Sequence, residues 1–134
     1  PTPVGLFVPV NQVDHMLYAS GQGSFFGEHR IEGKVGRDVT LEDARLGARY
    51  CMLNTLAVLE EYLGDLNRIQ RVVKLLAFVS SDDGFYQQPA VVNGASQLLL
   101  DLWGEQGRHA RSAIAVNTLP SNLSVEIEAI FTLK

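Results

Sequence analysis

A chain of 134 residues is long enough to enclose one real core and short for two, so one domain over residues 1–134 is expected. Apolar residues make up 46% and charged residues 19%, without a long polar tract, which excludes a disordered chain. The 11 basic and 15 acidic side chains are scattered without a Lys/Arg stripe, which argues against nucleic acid; one cysteine, no signal peptide and no long apolar run point to a cytoplasmic protein without a disulfide or membrane partner.

In chain order, "VPVNQV" (8–13) and "MLYAS" (16–20) are short β-prone runs split by Asp14 and His15, and they read as a hairpin ended by "GQGS". Residues 24–39 mix charges of both signs with glycines and read as an exposed loop holding one edge strand at most. Thr40 followed by Asp43 resembles a capping box, and Ala44, Ala48, Cys51, Thr55, Val58 and Tyr62 recur at helical spacing, which predicts a helix from Leu41 to Leu63 closed by Gly64. Mid-helix, Cys51 and Met52 read as core.

"IQRVVKLLAFVS" (69–80) is apolar with little alternation, as expected of a central strand covered on both faces. After the "SSDDG" turn, Pro89 suits the first turn of a second helix, with Val91, Ala95, Leu98, Leu99 and Leu102 as its buried stripe up to Gly104. The last third pairs Ala110–Val116 with Val125–Leu133 across a turn holding Leu119-Pro120-Ser121-Asn122. The element order predicts an α+β fold: a mixed β-sheet with two helices packed on one face.

Alternation in 125–133 turns Val125, Ile127, Ala129, Phe131 and Leu133 toward the helices and Glu126 and Glu128 away from them. In the preceding strand the bulkier Ile114 and Val116 are assigned to the helix side, which puts Arg111, Ala113 and Ala115 on the glutamates' face. A face so composed is too bare for a monomer surface and too charged for a core, so a homo-oligomer is expected. On residues alone, a structural Arg111–Glu126 cross-strand ion pair is the favoured reading over a reactive site.

The segments "YASGQ" (18–22), "VVNGAS" (91–96), "HARSAIAV" (109–116), "LP" (119–120) and "VEIEAI" (125–130) resemble, in order and spacing, those of the RidA/YjgF reactive-intermediate deaminases. The resemblance runs from Gly5 to the C-terminus and rests chiefly on A-R-S, L-P and E-I-E-A together. It implies a chorismate-mutase-like homotrimer with helices outside and clefts between subunits, and hydrolysis of 2-imino or enamine acids to 2-keto acids and ammonia without metal or cofactor.

Carried over by position, the resemblance implies that Arg111 holds the substrate carboxylate and Glu126 aims water, with Ser20 and Asn93 in the pocket. Departures are Phe7 where the family carries the tyrosine of G-P-Y, Ala113 where cysteine is frequent, and His109 where proline is common. Phe7 can shape a cleft but donates no hydrogen bond, Ala113 offers only backbone, and His109, which shares Arg111's parity, reads equally as part of the cleft lining or as an exposed or interface histidine. The bland readings are that Ser20 caps a turn and Asn93 bonds local backbone. The competing function is a trimer that binds a small carboxylate or 2-keto acid without turnover. A ribonuclease activity attributed to relatives fits the acidic balance poorly.

Overall fold

The computed structural model describes residues 1–134 and is α+β, with two helices on one face of a five-stranded sheet. Strands β1 (Val10–Val13) and β2 (Met16–Gly23) form a hairpin, and β3 (Phe25–Phe26) with β4 (His29–Arg30) form a second, two-stranded ribbon. Helix α1 (Leu41–Leu63) leads to β5 (Ile69–Ser80), α2 (Gln88–Trp103), β6 (Ala110–Val116) and β7 (Val125–Leu133). The sheet order is β1-β2-β7-β5-β6; β5 and β6 are parallel and every other pair is antiparallel. Parallel neighbours need a crossover, and α2 supplies it. Neither helix is long and apolar enough to cross a membrane.

Local chemistry sets the element ends. Thr40 caps α1 by accepting from the Asp43 amide at 3.1 Å, and the Gly64 amide donates back to the Glu60 carbonyl. Pro89 lies in the first turn of α2, where its missing N–H costs no hydrogen bond. The core lies between helices and sheet: Leu17, Leu75, Ile127 and Phe131 from the strands meet Met52, Leu59, Val91 and Leu99 from the helices, all fully buried. Gly94 lets α2 come against α1 so closely that a Cβ there would lie 2.0 Å from the Arg45 carbonyl oxygen.

Two expectations change here. The segment 24–39 is largely exposed as expected, but it carries the two short strands of the β3–β4 ribbon where one edge strand was expected, and it is anchored through buried Ser24 and Val35. The Ser24 hydroxyl donates to the Ile31 carbonyl at 2.8 Å and accepts from the Ser124 and Val125 amides at 3.1 and 3.2 Å, tying the ribbon to the start of β7. Ser24→Ala removes these hydrogen bonds at a buried site, although the Ser124 amide keeps the Ile31 carbonyl at 3.0 Å, and is expected to cost about 1–3 kcal/mol, read as a lower denaturant midpoint at unchanged m-value.

The second change concerns β5, which is covered on one face only. Its other face presents Lys74, Leu76 and Phe78, flanked by Glu126, Glu128 and Ile130 of β7, by Tyr18 of β2 and by Ile114 of β6. Tyr18 is 44% exposed and Ile114 46%, an apolar area unusual for the free surface of a chain this small.

Candidate functional site

The register of β6 places Arg111 beside Leu75, Ala113 beside Ala77 and Ala115 beside Val79, all three partners being core residues on the helix side. Arg111, Ala113 and Ala115 therefore share the helix face, and Ile114 stands on the open face with the glutamates, opposite to the expected parity. Side-chain size is the physical reason the expectation failed. β6 is an edge strand whose Ile114 has no helix above it, and Arg111 at the strand start reaches past the core to the beginning of α2.

There the guanidinium is held at three points. Its Nη1 donates to Asn93 Oδ1 at 2.9 Å and to Ser96 Oγ at 3.0 Å, and its Nη2 donates to the Pro89 carbonyl at 3.0 Å. A guanidinium carries five N–H donors, so two remain for a ligand, in a geometry suited to a carboxylate. Burial pulls the Arg111 pKa down, without removing the charge of a group this basic.

Behind this contact lies His109. Its Nδ1 is 2.7 Å from the Gly107 carbonyl, which can only accept, so Nδ1 carries the proton and Nε2 is free to accept. Nε2 is 2.8 Å from Ser96 Oγ, which completes a chain Arg111 N–H → Ser96 O–H → His109 Nε2. Burial, and then the Arg111 charge, push the His109 pKa down against the Gly107 hydrogen bond, which favours the neutral ring. A cleft of about 220 Å³ opens beside Ser96, Leu100, Arg108, His109 and Arg111.

The second group lies on the open face. Glu126 is half-buried, and burial together with neighbouring Glu128 pushes its carboxyl pKa up from 4.5. It borders a cleft of about 280 Å³ with Phe7, Gly21, Phe25, Arg30 and Ser121. A Cβ at Gly21 would lie 2.7 Å from a Glu126 carboxylate oxygen, so any larger residue there would displace the Glu126 side chain. The β2 strand bulges at this point, where its pairing with β7 shifts between Ala19 and Gln22. Ser20 donates to the Val8 carbonyl at 2.8 Å, which ties down the segment carrying Phe7.

The candidates thus fall into two clusters. Asn93, His109, Arg111 and Ala113 gather at the α2–β6 corner; Phe7, Ser20 and Glu126 gather around the bulge. Along the ladders Arg111 aligns with Leu75 and Ala129, three residues from Glu126, so the two are about 10 Å apart along the strands and about 10 Å across them, on opposite faces. The cross-strand ion pair is absent: Glu126 has no cation partner and Arg111 no carboxylate. Ser96 was the residue that sequence reasoning passed over. Its spacing of three from Asn93 places both on one helix face, and that spacing was the available signal. Cys51 is buried with its thiol pKa pushed far up by burial, consistent with a core role.

Residues 2–132 match the family described as "YjgF/chorismate mutase-like, putative endoribonuclease". The chain is 43% identical over 104 residues to Protein TCP17 of Trypanosoma cruzi; the match takes in 77% of the chain and 65% of that longer protein. Among solved structures it is similar to the protein Atu1372 of Agrobacterium tumefaciens, described as of unknown function, at 44% identity and TM-score 0.92, covering 95% of this chain and 82% of that one. It is also similar to RidA of the Antarctic bacterium Psychrobacter sp. PAMC 21119, at 27% identity and TM-score 0.68, covering 99% and 93%.

Proposed function

Since the chain belongs to the YjgF/chorismate-mutase-like family, we propose that it is a cytoplasmic homotrimer that hydrolyses 2-imino or enamine acids to 2-keto acids and ammonia, at sites shared by two subunits. One subunit offers the Arg111–Asn93 corner and its neighbour offers the Glu126–Phe7 cleft. The observation that carries this reading is a charge left unneutralised on each side: Arg111 with two unspent donors, and half-buried Glu126 without a cation. Joining the open sheet face of one copy to the edge strand of the next would also cover Tyr18 and Ile114.

In this mechanism Arg111 holds the substrate carboxylate, which fixes the adjacent C=N carbon. Glu126 accepts a proton from a water whose oxygen attacks that carbon, giving a tetrahedral amino alcohol. With the imine taken up protonated on nitrogen, Glu126 returns that proton to the amino group, the C–N bond breaks with ammonia leaving, and the hydroxyl gives its proton back to the Glu126 carboxylate as it closes to the keto group. Phe7 walls the pocket and Ala113 contributes backbone from the edge strand. Imines hydrolyse unaided in water, so holding the reactant in an attack-ready pose supplies much of the acceleration.

The test is to generate 2-iminopropionate with an amino-acid oxidase and follow its decay. Accelerated decay supports the reading. A trimer stabilised thermally by 2-keto acids without any acceleration replaces it with carboxylate binding alone. The pH profile carries a second expectation. The base works as carboxylate and its pKa is raised, so activity falls as pH falls through a value above 4.5. Glu128→Gln removes the repelling charge and is expected to move that acid limb to lower pH, read from kcat/KM against pH.

A further inference from the structure

Resting on that assignment of Arg111 as the carboxylate anchor, we infer that Ser96 and His109 are positioning residues that aim the anchor, with His109 acting through Ser96 and touching no substrate itself. A guanidinium on a flexible stem discriminates geometry only if its plane is fixed. Asn93 and the Pro89 carbonyl fix one rim of it. Ser96 is the third contact and the only one whose own orientation is set by a further group.

The hydroxyl of a serine can turn about its C–O bond. With His109 Nε2 at 2.8 Å as acceptor, the Ser96 proton points to the ring, and its lone pairs are turned to Arg111 Nη1 at 3.0 Å. The ring is fixed in turn by Gly107 at 2.7 Å, whose carbonyl selects the tautomer. Gly107 is buried where a Cβ would lie 2.3 Å from the Leu99 carbonyl oxygen, so this backbone is seated firmly on the end of α2. Both ring nitrogens are thereby engaged within the chain, which leaves His109 none for a ligand.

The anchor binds the carboxylate in ground and transition states alike, so misaiming it raises KM and spares kcat. The experiment measures steady-state imine hydrolysis, calorimetric binding of pyruvate, and thermal midpoint for the assembled protein and four variants. Ser96→Ala and His109→Leu are expected to raise KM and the pyruvate Kd about tenfold with kcat nearly unchanged. Ser96→Thr keeps the hydroxyl and His109→Gln keeps an acceptor beside a donor, so both are expected to restore values near the parent.

Unchanged KM and Kd in Ser96→Ala and His109→Leu overturn the inference. So does a loss confined to kcat and thermal midpoint, which marks a structural role only. If the parent accelerates no imine decay, the deaminase reading fails by itself, and the pyruvate Kd series still decides: the same graded weakening supports the aiming role, whereas equal affinities or no binding at all overturn it.

Discussion

Mixed assemblies of Arg111→Ala and Glu126→Gln subunits are expected to recover activity that neither variant has alone. Arg111→Ala removes a charged double hydrogen bond to the carboxylate, and on its own is expected to lower kcat/KM on the order of 100-fold. Glu126→Gln removes the proton acceptor and is expected to lower kcat by about 10²–10⁴-fold. In one chain the two residues lie on opposite faces of the sheet, so an intact pair can arise only between an Arg111-bearing and a Glu126-bearing copy. Random mixing in equal amounts with a closed ring of three restores about a quarter of the sites. The check is to unfold the two variants together, refold them and assay; activity no higher than the sum of the separate variants would rule out the shared site.

Gly94→Ala is expected to have the largest effect on stability of any single methyl addition near the site. The new Cβ would be 2.0 Å from the Arg45 carbonyl oxygen, a rigid backbone atom, so α1 and α2 must separate. Overpacking of this kind costs about 3 kcal/mol, or roughly a 10 °C fall in thermal midpoint. The residue before it is Asn93, which holds Arg111 at 2.9 Å, so the helix displacement also moves the anchor. A second signature is therefore a raised KM in the protein that remains folded. A variant with the parent's thermal midpoint and KM would refute the close helix contact at Gly94.

The main elements were legible because their signals are local. Thr40 and Gly64 bound α1 at Leu41–Leu63, and the apolar run 69–80 is β5 with the same ends. Alternation in 125–133 correctly turned Glu126 and Glu128 away from the helices. The face of Arg111 was not legible, because nothing local in a seven-residue edge strand states its register against β5. Ranking Ile114 above Ala113 by size assumed that the larger side chain seeks the helices, and an open sheet face with apolar area of its own reverses that. The buried anchor of segment 24–39 was missed for a similar reason. Ser24 looks like a loop serine until the amides of Ser124 and Val125, 100 and 101 residues away, find it.

That Arg111 and Glu126 look away from each other across one sheet gives the assembly its own arithmetic. If the site is shared between subunits as proposed, a lone chain holds both halves of it and closes neither, and dilution below the dissociation constant of the assembly is expected to switch activity off without unfolding anything. Specific activity is then expected to climb sigmoidally with protein concentration until every ring is closed. In the proposed ring of three, a copy damaged in both halves would silence the junction on each side of it, so two of three junctions would fall to one faulty member.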